Sequence, residues 1–337
     1  MKHFFFVVCA GALLGFGLTG CKRSEPASSA AGAGPALTKV VLQTDWYAQP
    51  EHGGFYQALV KGYYREAGLD VEIRQGNPAT HPQQVVATGQ ADFAIGRSDD
   101  VAIFASRGVP VVMLGAFMQR DPQAIMFHEE SGIRTFMDLD GRNVMAVPGS
   151  AFLTIMEATF HIKVAVTPSD YGMSRFLADR NFVQQCFITN EPFYVRQQGA
   201  KVGVLPLWDT GFSPYRVWYA RRSFAAEHPD VARAFSAATL RGWRDYIEGD
   251  RAAANARIAA LNPKMTPAFM DFSVNALKEY QLVTGNPATG EAFGKISRER
   301  VARELKQLAD IGQLEKPVSV DDVLDARFLP PEDVTRP

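Results

Sequence analysis

The alternation of strand and helix signals along the first half of the chain most constrains how it can fold. Short apolar runs typical of β-strands alternate with segments whose apolar residues recur at helical spacing. The predicted strands are residues 40–43, 71–73, 91–95 and 111–116, and the predicted helices are residues 55–67, 82–88 and 99–106. Because helical crossovers join parallel strands, this order predicts a mainly parallel sheet with helices on its faces.

The same alternation begins again further along the chain. A predicted strand at 143–147 precedes a predicted helix at 150–160, and further predicted strands follow at 185–189 and 217–220. Four predicted helices then follow at 229–248, 251–261, 266–280 and 297–311. Two such units predict an α/β, bilobed fold with two parallel-rich sheets, flanking helices and a ligand cleft between the lobes. We expect crossings between the lobes near residues 123–127 and 214–219 and a helical tail packed on the first lobe. The predicted lobes are residues 39–122 with 220–330, and residues 123–219.

The N-terminus has the features of an export signal. Lys2 and His3 precede an apolar run over residues 4–18, which is shorter than the about 20 residues of a membrane-spanning helix. The run ends in Leu-Thr-Gly-Cys at residues 18–21, which resembles the bacterial lipobox. This resemblance implies a signal peptide over residues 1–20, cleavage before Cys21 and lipidation of its thiol. The alternative is a signal peptide followed by an incidental cysteine.

Residues 21–38 are rich in Ala, Ser, Gly and Pro, which predicts a flexible tether behind the lipid. We therefore expect an anchored protein in the bacterial envelope, facing the periplasm or the cell exterior. The third cysteine besides Cys9 and Cys21 is Cys186, and we expect it to be a buried apolar residue rather than a nucleophile. The net charge of −1 argues against nucleic acid as a partner.

Ligands of open parallel sheets bind beyond the carboxyl ends of the strands, and polar loops with aromatic residues follow four predicted strands. These loops read DWYAQPEHGG, GRSDD, PGSAF and TNEPFY. In the first, Asp45 can accept hydrogen bonds from a ligand amine, and Trp46 and Tyr47 offer flat faces that stack on a ring. The alternative is that both aromatic residues belong to the core and that Asp45 only forms a turn.

The same loop continues into a predicted helix through His52, Gly53 and Gly54. Free N–H groups at a helix N-terminus favour anions or carbonyl oxygens, so these three residues are further candidates. Ser98, Asp99 and Ser150 stand at equivalent positions in the next loops, where each could also serve only as a helix cap.

The last loop contains Asn190 and Glu191. A carboxylate at a strand end is costly to bury alone, so Glu191 is expected to face the cleft and meet a cationic or amidine-like group. A solvated turn residue is the alternative. Tyr215 falls at the second crossing, where its side chain could reach between the lobes.

Motifs of known catalytic sites are missing from the sequence. There is no GxSxG, HExxH, P-loop or CxxC pattern, and the six histidines lack metal-ligand spacing. The sequence therefore predicts a protein without catalytic residues, metal or cofactor.

Several segments together resemble one family, the SsuA/THI5-like group of substrate-binding proteins. They are the Asp-Trp-x5-His opening at 45–52, ATGQADFAIG at 87–96, MDLDGRNVMAVPGS at 137–150 and TNEP at 189–192. The resemblance covers about residues 39–320 and implies a periplasmic-binding-protein type II fold, a small-molecule ligand, and an ABC permease and ATPase as partners. We expect a monomer. The opening looks most like the branch that handles thiamin-pyrimidine precursors, and it implies that the first loop binds the ligand, with Ser98, Asp99, Ser150, Glu191 and Tyr215 in the cleft.

Other interpretations remain open. The same branch includes proteins thought to serve riboflavin uptake, and the wider group binds sulfonates or nitrate. The fungal pyrimidine synthase of this branch carries a cysteine-rich run before the second crossing, but residues 207–220 here contain no cysteine, which argues against that enzyme. A sensory or partner-binding lipoprotein that kept the fold is the third alternative.

Overall fold

A computed structural model describes residues 36–329 of the chain. The predicted signal peptide, Cys21 and the predicted tether up to residue 35 lie outside the described residues. The strands are β1 (Thr38–Gln43), β2 (Leu69–Arg74), β3 (Phe93–Arg97), β4 (Val111–Met118), β5 (Gln123–His128), β6 (Asn143–Ala146), β7 (Ala165–Pro168), β8 (Val183–Phe187), β9 (Val202–Pro206) and β10 (Arg216–Arg221).

The helices lie between or after these strands. They are α1 (Gly53–Val60), α2 (Tyr63–Glu66), α3 (Pro82–Ala87), α4 (Ser98–Ser106), α5 (Ala151–Phe160), α6 (Ser174–Ala178), α7 (Glu191–Gln197), α8 (Arg222–Glu227), α9 (Pro229–Glu248), α10 (Ala252–Leu261), α11 (Pro267–Glu279), α12 (Arg298–Asp310) and α13 (Val320–Val323). Single 3-10 turns include Pro50–His52 before α1 and Leu207–Thr210 after β9. None of the helices in this part of the chain is long and apolar enough to cross a membrane.

The two predicted α/β units are present as two five-stranded sheets. The first sheet has the strand order β2-β1-β3-β10-β4 and the second has the order β7-β6-β8-β5-β9. The α/β fold class with two sheets and flanking helices is thus confirmed.

Each sheet is rich in parallel strands, as predicted, but includes one strand that runs in the opposite direction to the other four. Strands β1, β2 and β3 pair in parallel, as do β6, β7 and β8, in agreement with the predicted crossovers. The strands that follow the crossings, β5 and β10, pair antiparallel with both of their neighbours. They run in the opposite direction because each enters its sheet from the other one, without a helical crossover.

The crossings lie slightly away from the predicted positions. Residues 123–127 belong to β5 of the second sheet, so the first crossing falls at residues 119–122. The second falls at residues 211–215, directly before β10. The two segments lie side by side, since the backbone N–H of Asp121 donates to the carbonyl of Pro214 at 3.0 Å.

Arg300 of α12 holds both crossing segments. Its Nη2 donates to the carbonyl oxygen of Gln119 at 2.5 Å and to that of Ser213 at 2.6 Å. The guanidinium also lies over the ring of Tyr215, with Cζ 3.8 Å from the ring centroid. A residue of the C-terminal helices therefore ties the two passages between the sheets together.

Part of the predicted helical tail packs on helices of the first sheet, whereas Phe269 of α11 stacks on Tyr194 of α7, which follows β8 of the second sheet. Helix α9 lies against α1, and α12 and α13 lie against α4. Glycines allow α1 and α9 to approach closely, because a Cβ on Gly54 would collide with the ring of Trp243 and one on Gly242 would collide with the backbone of Gly54. The buried rings of Phe55, Phe117 and Trp243 pack together beneath this contact.

Candidate ligand-binding site

The loop after β1 carries a charged group that is already paired. Asp45 accepts a hydrogen bond from Nη2 of Arg216 at 2.5 Å, and its other oxygen lies 3.2 Å from Nε2 of His52. Burial alone would raise the pKa of Asp45, but the charge of Arg216 and the hydrogen bonds hold it well below the usual range. Asp45 is therefore an anion that fixes Arg216 and His52 in place.

Arg216 is a central residue of the site that the sequence analysis missed. Its guanidinium is buried between Asp45 and Asp121, with Nη1 3.6 Å from an oxygen of Asp121. It also lies near the ring of Phe187, 5.9 Å from the centroid, at the end of β8 in the second sheet. A cation directly at a crossing between two lobes is the signal that could have identified it.

Trp46 and Tyr47 are not core residues. Trp46 is half-buried and Tyr47 is 46% exposed, and their rings meet edge to face at 5.7 Å. The ring of Trp46 also contacts that of Tyr171, with the ring centroids 5.2 Å apart and the ring planes at 47°. Because Tyr171 follows β7, Trp46 contacts a loop of the second sheet from a loop of the first.

A second contact between the sheets involves Glu51, also missed from the sequence. Its Oε1 accepts a hydrogen bond from the hydroxyl of Thr189 at 2.5 Å, and Asn190 donates to Gln49 beside it at 3.3 Å. Glu51 is 2% exposed, and its Oε2 has no hydrogen-bond partner among residues 36–329. Burial and then the nearby charge of Glu191 raise the pKa of Glu51 to about 7.

His52, Gly53 and Gly54 are buried at the start of α1. The two glycines face the rings of Tyr246 and Trp243 on α9, where a Cβ has no space. Close packing of the helices therefore accounts for both glycines, and their role as ligand residues stays a prediction.

Three further predicted residues, Ser98, Asp99 and Tyr215, are engaged by side chains or backbone groups of the protein itself. The hydroxyl of Ser98 donates to the carboxylate of Glu304 at 2.8 Å, and the hydroxyl of Tyr215 accepts from the backbone N–H of Ser297. Asp99 lies 3.0 Å from Arg97, and burial raises its pKa to about 7. These contacts hold α4, β10 and α12 together, and a ligand role for the three residues stays a prediction.

Ser150 directly precedes α5, and Glu191 begins α7, both beside the second sheet. The hydroxyl of Ser150 donates to the carbonyl of Val147 at 2.8 Å. Glu191 is the first residue of α7, and its carboxylate accepts from the backbone N–H of Phe187 at 2.7 Å. Burial raises the pKa of Glu191. Each of these two side chains therefore has a hydrogen-bond partner close by in the sequence, and its role in ligand binding stays a prediction.

The structure brings one subset of the predicted residues together at the junction of the sheets. Asp45, Trp46, His52 and Asn190 lie there with the newly found Glu51, Tyr171 and Arg216. A surface groove of about 490 Å³ lies elsewhere, between α12 and residues 314–320, and none of the predicted residues lines it. Residues 36–329 contain no group of three acidic, histidine or cysteine side chains that could hold a metal.

Comparison with known proteins finds relatives of nearly the same length. The formylaminopyrimidine-binding protein of Halalkalibacterium halodurans is 25% identical over 86% of this chain and 91% of its own. The riboflavin-binding protein RibY of Chloroflexus aurantiacus is 24% identical over 96% of this chain and 97% of its own. Fungal pyrimidine phosphate synthases match over only 40% and 41% of this chain.

The fold recurs in solved structures. The alkanesulfonate-binding protein SsuA from Xanthomonas axonopodis pv. citri, bound to MOPS, superposes with a TM-score of 0.63 at 13% identity, over 87% of this chain and 99% of that one. At this identity the likeness concerns the fold alone. The family described as NMT1/THI5 like matches residues 49–253, which is more than half of the chain, and the chain therefore belongs to the NMT1/THI5-like family.

Proposed function

We propose that the protein is the lipid-anchored solute-binding component of an ABC importer and captures a small heteroaromatic solute such as a thiamin pyrimidine precursor. The observation that carries this proposal is the half-buried ring of Trp46, which follows β1 of the first sheet and contacts Tyr171 of the second. An indole at this position offers a flat face at the carboxyl ends of strands, where sheets of this type bind ligands.

The polar groups around Trp46 would orient the solute. Arg216 is held between Asp45 and Asp121, and the free oxygen of Glu51 lies in the same loop as Trp46. A buried carboxyl whose pKa is about 7 can either donate or accept a hydrogen bond near neutral pH. This property suits the edge of an aminopyrimidine, which presents a donor beside an acceptor.

Capture would occur by closure of two lobes about the crossings at residues 119–122 and 211–215. Contacts that a ligand makes with both sheets shift the population toward the closed form, in proportion to its difference in affinity for the two forms. Thr189 with Glu51 and Asn190 with Gln49 are the direct hydrogen bonds that closure would complete.

The anchor and the partners complete the proposal. Cys21 would carry the lipid, and residues 22–37, before β1, would form the tether. A permease with its ATPase would receive the solute from a monomeric protein outside the cytoplasm. Mass spectrometry of the envelope-purified protein should find a diacylglyceryl mass on the peptide that begins at Cys21, and a C21A variant should be released from the membrane fraction. An unmodified N-terminus at Cys21 would refute the anchor.

Ligand identity can be tested by calorimetry on the purified protein without its signal peptide. A formylaminopyrimidine and riboflavin serve as aromatic probes, because two relatives are named for such ligands, and methanesulfonate and nitrate serve as non-aromatic probes. We expect one aromatic probe to bind with a dissociation constant in the micromolar range or below, and the two anions not to bind. Binding of an anion without either aromatic probe would refute the proposed solute class.

A further inference from the structure

Tyr171 is a large aromatic side chain that lies on the surface rather than in the core. It is 55% exposed and follows β7, the edge strand of the second sheet. Its ring contacts Trp46 of the first sheet, with centroids 5.2 Å apart. Trp46 meets Tyr47 by an edge contact, so Tyr171 is the aromatic partner that reaches Trp46 from the opposite sheet.

The backbone of Tyr171 adopts an unusual conformation. Its φ of +56° lies in the left-handed region, which is shared by only two other non-glycine residues in the described part of the chain. Bulky residues rarely adopt this conformation, since the Cβ crowds the neighbouring carbonyl. Nothing in core packing explains the strain, because most of the side chain is outside the core.

The turn around Tyr171 is nevertheless fixed on both sides. Its backbone N–H donates to the hydroxyl of Ser169 at 3.2 Å, and that of Gly172 donates to the carboxylate of Asp170 at 2.8 Å. Ser169 is itself tied to β6 through the carbonyl of Ala146 at 3.0 Å. Strained residues that are held in this way are concentrated at binding sites, where the strain orients a side chain.

We propose that Tyr171 is the second wall of the binding site and that the ligand ring inserts between it and Trp46. This inference rests on the proposed function and adds a binding residue to it. The two rings now touch at 5.2 Å, whereas two stacking contacts of about 3.5 Å each require about 7 Å between the outer rings. The two loops would therefore part by about 2 Å to admit one flat ring. Such a site accepts planar heteroaromatic solutes and gives little affinity to tetrahedral or aliphatic ones.

The test compares three variants at position 171 with wild type, using riboflavin fluorescence quenching and calorimetry with a formylaminopyrimidine. Y171A should weaken binding of whichever probe binds by about tenfold, and Y171F should bind within about twofold of wild type. Y171G should lose affinity like Y171A while its Tm does not fall below that of Y171A, because glycine adopts a positive φ without strain. M137A, which shortens another exposed apolar side chain, is the matched control and should bind like wild type.

The outcomes separate this inference from the proposed function. If wild type binds a probe and Y171A binds it within about twofold of wild type, Tyr171 is not a wall of the site and the proposed function stands. If Y171A and Y171F lose affinity equally, the phenol hydroxyl rather than the ring face is responsible, and the stacking role is refuted. If wild type binds neither aromatic probe, the proposed solute class fails, and the ring-binding role fails with it.

Discussion

The hydroxyl of Thr189, which follows β8 of the second sheet, donates a 2.5 Å hydrogen bond to the carboxyl group of Glu51 in the first. Both side chains are buried, and the second oxygen of Glu51 has no hydrogen-bond partner within residues 36–329. The sheets are thus joined through a group whose charge depends on pH near neutrality. Four predictions follow from this junction and the residues around it.

The first concerns the pH dependence of stability. The pKa of Glu51 is raised from 4.5 to about 7 in the folded protein, because burial favours the neutral carboxyl. The contribution of Glu51 to the free energy of unfolding is therefore fully present below pH 4.5 and is lost as pH rises to about 7. Across this window the loss is on the order of 3 kcal/mol for a fully buried group. Urea unfolding of wild type and E51Q at intervals from pH 4.5 to 7.5 measures it.

Other buried acids, such as Glu304 with a pKa raised to about 8, contribute to the same slope, so the difference between the two proteins is the relevant quantity. E51Q should lose stability less steeply than wild type over this range. Parallel slopes would show that Glu51 is charged in the folded protein.

Removing the donor of the same hydrogen bond should destabilise the protein. T189V keeps the shape of the side chain but leaves both oxygens of Glu51 without a partner, and we expect a loss of about 1–3 kcal/mol in the free energy of unfolding at pH 7. T189S retains a hydroxyl and should remain within about 1 kcal/mol of wild type. A T189V variant as stable as wild type would show that the hydrogen bond to Glu51 contributes nothing to stability.

Replacing the indole should weaken ligand binding more than folding. W46A removes the stacking face, so we expect calorimetry to show a loss of roughly 1–3 kcal/mol in binding free energy. W46F retains a flat ring and should recover most of this loss. Since Trp46 is half-buried, urea unfolding of W46A should change less than for a core aromatic. Unchanged affinity in W46A would count against the site.

Arg216 should be the most sensitive residue of the junction. R216A leaves the buried Asp121 and the partly buried Asp45 without their cation, and breaking a buried pair in this way costs about 3–5 kcal/mol. The exposed pair of Arg74 and Glu72 provides a control, because R74A should cost about 1 kcal/mol or less. A similar effect of the two substitutions in urea unfolding would mean that Arg216 is hydrated rather than buried.

Helix boundaries were predictable where the sequence contains local stop and start signals. The predicted helix at 229–248 coincides with α9, because Pro229 opens it and Gly249 follows it. The predicted helix at 55–67 is instead two helices, α1 and α2, separated at Gly62, whose φ is +79°. Apolar spacing continues through this break, so periodicity alone could not reveal it.

The strands of the second sheet were harder to predict. Strand β7 has four largely exposed residues and ends in Pro168, and therefore lacks the apolar run of a buried strand. The sequence also did not reveal strands β5 and β9. Strand β5 is buried and apolar, but it lies where a crossing between the lobes was expected.

Several contacts between the sheets were predictable on one side only. The rule that ligands bind at carboxyl ends of strands led to Trp46 and Asn190, but their partners Tyr171 and Gln49 depend on which loops of the two sheets meet. Arg216 and Asp45 are likewise 171 residues apart in sequence. Pairings at such separations are decided by strand order, which local patterns do not contain.

The position of Arg300 limits how the molecule can move. The guanidinium of Arg300 donates hydrogen bonds to the backbone carbonyls of Gln119 and Ser213, one in each crossing segment. The two crossing segments therefore cannot separate at that point while these hydrogen bonds persist. A rotation of one sheet relative to the other therefore has its hinge beside α12, and the atoms farthest from this hinge undergo the largest displacements.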